Sequence, residues 1–206
     1  MADNEQSKAA AQKALLARRT LARRRLIHFV KYMMPGYRDG WVHHDIAWRL
    51  ERFSDQVLAE QSPRLMLLVP PRHGKSELAS KKLPAWHLGR DPEHKFINTG
   101  YNLDLPNEFS RGVRSTVRDP KYEALFPETQ LDPETRSVEN WRTTKGGGLT
   151  TAGVGGGVTG KGANCLTIDD PIKNQQEADS PRVRDMLWDW YMSTAYTRLE
   201  PGGGVL

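Results

Sequence analysis

Long apolar runs are missing from this 206-residue sequence: none approaches the roughly 20 residues that cross a bilayer, so no helical membrane span is expected. The N-terminus carries arginines where a secretory signal carries an apolar stretch. Cysteine is almost absent. Cys165 stands alone, which rules out an internal disulfide framework and fits a reducing compartment, the cytoplasm. Net positive charge is also missing from most of the chain, although the formal net charge is +5. Residues 1–32 hold eight basic residues (Lys8, Lys13, Arg18, Arg19, Arg23, Arg24, Arg25, Lys31) against Asp3 and Glu5, a balance of +6, so the other 174 residues sum to −1. The body is therefore not coated with positive charge for nucleic acid, and phosphate contacts must come from local clusters.

What is present is enough for one sizeable core with a helical appendage. Residues 1–34 read as a basic helical N-terminal segment, and residues 35–206 as the main domain. Residues 1–12 are polar and Ala-rich, a disordered stretch or a frayed helix. From Ala14 to Met34 the spacing of Leu15, Ala22, Leu26, Phe29 and Met33 predicts one apolar helix face, ended by Pro35-Gly36. Two readings of this segment stand: a helix packed on the domain with a solvated basic side, or a docking element for DNA or another component. A second helix is expected from His44 to Leu58, with Ile46, Leu50, Phe53 and Val57 on its apolar face.

Beyond it, strands and helices alternate. Arg64–Val69 reads as a short, fully buried strand; a helix follows from Lys75 to His87. Lys95–Thr99 is a second strand and Leu103–Val117 a second helix. One or two strands, containing Trp141 and Leu149, are expected between Val138 and Val154, and another buried strand from Asn164 to Ile168. Ser180-Pro181 opens a long helix carrying Val183, Leu187, Trp190, Tyr191 and Thr194. Gly202–Gly204 then leads toward a strand at Val205-Leu206, which reads as a break-off point within something longer. The pattern predicts an α/β fold, a mostly parallel central sheet flanked by helices.

Chemistry concentrates at Val69-Pro70-Pro71-Arg72-His73-Gly74-Lys75-Ser76-Glu77. The segment leaves an apolar strand, turns, and opens a helix, the context in which Gly-Lys-Ser cradles phosphate. Gly74 permits close approach of the backbone. Lys75 is expected to neutralise β- and γ-oxygens and Ser76 to ligate Mg²⁺. Pro71, Arg72, His73 and Glu77 complete the expected ATP-binding loop, with Arg72 reaching a γ-phosphate in cis. The loop departs from the standard pattern at its first glycine position, which is Val69; the two prolines are expected to preset its shape.

A phosphate loop needs an acid at the end of a second strand. Ile168-Asp169-Asp170-Pro171 supplies it, 94 residues after Lys75. Asp169 is the expected Mg²⁺ carboxylate and Asp170 the expected water activator. Aspartate is one methylene shorter than the glutamate usual at that slot, so the base reaches through another water or Glu177 contributes. The glycine-rich run Gly153–Ala163 precedes this strand; within it, Lys161 is either a solvated lysine or a basic finger toward a neighbouring subunit's γ-phosphate. His43-His44-Asp45 lacks further ligands at zinc spacing, since His73 and His87 are differently placed; His44 is instead expected to touch a nucleotide base. Tryptophans such as Trp86, Trp141, Trp188 and Trp190 read as core.

Taken together, Arg64-Leu65, Val69 through Glu77, Pro84-Ala85-Trp86, Thr99-Gly100-Tyr101, Phe126-Pro127, Gly153–Ala163, Ile168–Pro171 and Ala178-Asp179-Ser180 resemble the phage large terminases, in order, over residues 35–206. The resemblance implies an additional-strand, RecA-like P-loop NTPase that uses ATP and Mg²⁺ to move double-stranded DNA into a procapsid in the host cytoplasm. It also implies a homo-oligomeric ring, usually a pentamer, on the portal protein, a small terminase subunit as partner, and a monomer in isolation. By position Lys75 and Ser76 match the Walker A residues, Arg72 the loop arginine, Asp169 the Walker B aspartate and Asp170 the catalytic-glutamate slot. Members often carry arginine where Lys161 stands, and lysine makes a weaker, non-bidentate finger. Full-length relatives continue into a coupling motif and an RNase H-like nuclease that this chain lacks, so no DNA cleavage is expected of it. A helicase-like translocase, or an assembly module that binds nucleotide without hydrolysing it, are the alternatives.

Overall fold

The computed structural model of the protein describes residues 2–135, 137–157 and 160–206, with side chains from Glu5 onward. In chain order the elements are α1 (Ala2–Arg24), α2 (Leu26–Met33), α3 (Trp41–Leu58), a π-helical turn (Glu77–Lys82) running into α4 (Leu83–Arg90), β1 (Lys95–Gly100) and α5 (Asp104–Val117). There follow the short α6 (Pro120–Glu123), β2 (Asn140–Arg142), β3 (Gly148–Gly153), β4 (Ala163–Ile168), α7 (Gln175–Asp179), α8 (Pro181–Trp190) and β5 (Leu199–Val205).

The strands form one sheet in the order β2-β3-β1-β4-β5. Only β2 runs antiparallel, against β3. Because side chains alternate along a strand, β1, β3 and β4 each feed two cores. Phe96, Leu149 and Cys165 join the larger one with α2, α3 and α4. Ile97, Ala152 and Leu166 face the smaller one, closed by Trp190 and Ala195.

The apolar spacing of α3 behaves as read: Ile46, Leu50, Phe53 and Val57 are all buried. The N-terminal segment differs from expectation. It is helical from Ala2 and breaks at Arg25 (φ −134°, ψ 124°) instead of running unbroken to Met34. The cause lies in α3. The Glu51 carboxylate, itself buried, accepts from Arg25 Nε (2.8 Å) and from the Leu26 backbone N–H (2.6 Å), satisfying a helix-start donor at the break. Ala22, Leu26, Phe29 and Met33 are buried as their spacing predicts, whereas Leu15 is 41% exposed. Trp86 Nε1 donates to the Ala22 carbonyl (3.1 Å), tying α1 to α4.

Arg64–Val69 is not the fully buried strand that its composition suggests. It bridges β5 in parallel only at Arg64, and Leu65 N–H donates to Val205 O (2.9 Å). Among the described residues no strand flanks the stretch after Leu65. Leu65, Leu67 and Val69 therefore pack on the larger core while Met66 and Leu68 are 80% and 87% exposed. β5 thus lies between this segment and β4. It also swallows the glycine run, which the sequence suggested only leads into a strand. Gly204 has to be glycine: a Cβ there would sit 2.6 Å from Phe53 Cζ and 2.7 Å from Val57 Cγ2, so α3 lies directly on β5.

A buried polar relay links α3, α4 and the start of β1. Arg90 Nη1 donates to Ser54 Oγ (2.9 Å), which leaves the serine proton for His87 Nδ1 (2.7 Å). His87 Nε2–H then donates to His94 Nδ1 (2.9 Å), and His94 Nε2 faces Asp91 at 3.3 Å. The buried His87 imidazole is thereby held as the neutral Nε2–H tautomer. Burial first, then the charges of His94 and Arg90, pushes the His87 imidazole well below its ordinary value. A depressed folded-state pKa means that the unfolded chain takes the proton more readily, so stability falls as pH drops below about 6.5. Thermal unfolding from pH 7.5 to 5 is expected to show Tm declining by roughly 2–4 °C for each kcal/mol lost. His87→Gln should start lower and decline less; an equal slope in both proteins would rule out His87 as the titrating group.

Candidate functional site at the end of the parallel strands

Lys75 begins the helical run that continues through the π turn, and its side chain crosses to the end of β4. Its Nζ lies 2.9 Å from Asp170 Oδ1 and 3.2 Å from Asp169 Oδ1. Asp169 is nearly buried (6% side-chain exposure) and Asp170 is open (64%). Burial lowers the Lys75 pKa, but the hydrogen bond to Asp170 and the charges of both carboxylates outweigh it, and the net shift is upward. The ammonium is therefore firmly charged.

Backbone geometry fixes the acids. Asp169 N–H donates to Thr99 O on β1 (2.9 Å), and Tyr101 N–H donates to Asp170 O (3.3 Å). Asp170 itself is left-handed (φ 46°), which turns the chain sharply out of β4. Asp169 Oδ2 accepts from the buried Ser80 Oγ (2.8 Å), a partner that the sequence reading missed.

The loop before Lys75 is tightly turned, with Arg72 (φ 64°) and Gly74 (φ 77°) both left-handed. His73 Nδ1 hydrogen-bonds the Pro71 carbonyl (2.9 Å). Arg72 is exposed at the loop tip with no side-chain partner among the described residues. Ser76 is half-buried, and its hydroxyl makes no hydrogen bond among the described residues. Glu77 is turned along the helix toward Lys81 (3.7 Å) and Lys82 (3.6 Å).

The histidine at this loop is His43, not His44. A Cβ on Gly74 would meet His43 Cδ2 at 3.0 Å, its Nε2 at 3.1 Å and the Tyr37 hydroxyl at 3.5 Å. His43 Nδ1 accepts from Gly40 N–H (2.9 Å), so its neutral ring carries the proton on Nε2, beside Gly74. The Tyr37 hydroxyl is buried and has no hydrogen-bond partner among the described residues. His44 is engaged elsewhere: its Nε2 lies 2.7 Å from Asp39, which also holds Lys31 (3.1 Å). Hydrogen bonds from Lys31 and His44 lower the Asp39 carboxyl to about 2.

Other expected residues are not brought to Lys75. Lys161 lines a separate polar cleft of about 320 Å³ with Glu139, Asn140 and Thr151. It precedes β4 while Asp169 follows that strand, and at about 3.3 Å per residue the strand separates their backbones by about 20 Å. Glu177 accepts from the Lys173 N–H (3.1 Å) at the start of α7. In the glycine-rich run, Val158 and Thr159 lie outside the described residues. Trp86, Trp141 and Trp190 are core as expected; Trp188, 61% exposed, is not.

A cleft of about 820 Å³ adjoins the site. Lys75, Ser80, Asp169 and Asp170 form its polar end; Leu65, Met66, Leu68, Trp188 and Tyr191 line the rest. The loop residues 70–74 do not line it, so the cleft opens beside the lysine–carboxylate cluster and does not coincide with the loop. Among the described residues no three His, Cys, Asp or Glu side chains converge as a metal cage. An ammonium, a helix start, one buried and one open carboxylate and a spare hydroxyl are together suited to a polyanion with a hard divalent cation.

This cluster lies at the ends of parallel strands in a mixed α/β fold, a mostly parallel five-stranded sheet flanked by helices. A family model described as terminase large subunit, T4likevirus-type, N-terminal, matches residues 66–205. The chain belongs to that family, and membership implies a role in DNA packaging with DNA and packaging components as partners. No curated protein matches the sequence. No helix among the described residues is long and apolar enough to cross a membrane.

Proposed function

We propose that this chain is a Mg²⁺-dependent P-loop ATPase, the motor domain that drives double-stranded DNA into a procapsid in the host cytoplasm. The observation that carries the reading is the contact of Lys75 with Asp169 and Asp170 across 94 residues of sequence. The lysine follows a glycine loop at a helix start, and the acids end a parallel strand separated by β5 from the bridged segment that precedes the loop. That order supports the additional-strand, RecA-like reading.

Lys75 is the phosphate-binding cation. Its charge is neutralised by the two aspartates, with which a triphosphate would compete for it. The loop from Pro71 to Glu77 offers backbone N–H groups at the helix start, with Arg72 free to reach the terminal phosphate. Ser76 and Asp169 form an all-oxygen donor pair that fits Mg²⁺, which takes one or two protein oxygens along with nucleotide phosphates. Bound there, the ion supplies neutralisation of phosphate charge. Asp170, exposed and beside Lys75, is the acceptor for the proton of attacking water. His43 and Tyr37 replace His44 as the side chains closest to the loop. Lys161, remote within its own chain, serves a neighbouring subunit in a homo-oligomeric ring, a pentamer on the portal protein, with the small terminase subunit as a further partner.

Phosphate release with and without double-stranded DNA tests these assignments. Lys75→Ala is expected to lose roughly 10²–10³-fold in turnover and to bind nucleotide weakly; near-normal hydrolysis would refute the loop assignment. Asp170→Asn should retain ATP binding while turnover drops about 10²-fold or more, and wild-type rates would remove Asp170 as the base. Turnover per chain should climb with protein concentration and lose that climb in Lys161→Ala. Fast, concentration-independent hydrolysis would exclude a finger supplied in trans.

A further inference from the structure

Asp169 is held by a residue outside the loop motif. Its two carboxylate oxygens have different partners: Oδ1 faces Lys75 at 3.2 Å, and Oδ2 accepts from Ser80 Oγ at 2.8 Å. Ser80 is 1% exposed and lies four residues beyond Ser76, within the π turn. A π turn carries extra circumference and recurs at functional sites. Here it sets the Ser80 hydroxyl against the end of β4. The Ser80 carbonyl in turn accepts from Asn98 Nδ2 (3.3 Å), and Asn98 is in register with Thr167 on the neighbouring strand. Asn98 Oδ1 and Thr167 Oγ1 are both buried without a hydrogen-bond partner among the described residues. The floor beneath Asp169 is thus polar and buried, and the Ser80 hydroxyl is the donor that the acid receives from it.

We propose that Ser80 is the positioning residue of the cation site: it holds Asp169 Oδ2, so that Oδ1 stays turned toward Lys75 and a divalent ion, while the Ser76 hydroxyl is left for that ion. The inference rests on the Mg-nucleotide reading above. Two serines one turn apart thus divide the labour, Ser76 toward the ligand and Ser80 toward the ligand's carboxylate. Removing the Ser80 hydroxyl leaves a buried carboxylate oxygen without its donor and frees the side chain to rotate toward the ammonium.

The test titrates Mg²⁺ against a fluorescent ATP analogue, in wild type, Ser80→Ala and Ser80→Thr, with a matched series in EDTA and a melting curve for each protein. Ser80→Ala should need about 10-fold more Mg²⁺ for half-saturation, keep its EDTA affinity, and melt a few degrees below wild type because the buried carboxylate oxygen loses its donor. Ser80→Thr, which retains the hydroxyl, should recover most of the difference. If Ser80→Ala does not fold, Ser80→Cys carries the same comparison, because a thiol is a weak donor. An unchanged Mg²⁺ requirement overturns the proposal, as does an equal loss of affinity with and without Mg²⁺, which would mark Ser80 as merely structural. Wild type failing to show any Mg²⁺-dependent nucleotide binding would instead sink the ATPase reading itself.

Discussion

One ammonium set against two carboxylates organises this molecule. Lys75 starts a helix, Asp169 and Asp170 end a strand, and only a parallel arrangement of the intervening chain can bring those ends to one side of the sheet. The larger core exists to hold that arrangement: α3 lies on β5 at Gly204, and the helical run starting at Lys75 is anchored to the sheet through Ser80, Asn98 and Asp169. A buried carboxylate next to a partly buried cation is costly to assemble unless each of its oxygens finds a donor. Asp169 meets that condition with Lys75 on one oxygen and Ser80 on the other.

Much of the fold was legible because burial imposes period. β1, β4 and α5 fall within a residue of where their apolar residues suggest, and α3 ends as expected at Leu58 but starts three residues early, at Trp41. The misses have physical causes that a local reading cannot see. The break at Arg25 is made by Glu51, 26 residues away, whose carboxylate competes for the helix donors. β5 carries Pro201 and three glycines, a composition that argues against a strand, yet glycine is what the close approach of Phe53 and Val57 demands. Arg64–Val69 reads as doubly buried from composition alone; exposure of Met66 and Leu68 depends on how far β5 pairs with it, and composition does not carry that.

The candidate site divides the same way. Lys75, Asp169 and Asp170 were found by motif, since loop, strand and helix signals coincide there. Ser80 left a faint trace, a second serine four residues after the first, but only the π turn decides which acid it meets. Between His43 and His44 sequence offers no basis for choice. The structure separates them through Asp39, which draws His44 away, and Gly40, which fixes the tautomer of His43.

The left-handed backbone at residue 170 has a bearing on why a short acid stands there. Among residues with a Cβ, aspartate and asparagine tolerate that conformation best, whereas longer side chains occupy it at a cost. The sharp exit from β4 into Pro171 has in effect chosen between the two acidic amino acids on conformational grounds, before any consideration of reach. Lengthening the carboxylate arm at this point would therefore mean redesigning the turn, and the chemistry of the pocket is set as much by a torsion angle as by a functional group.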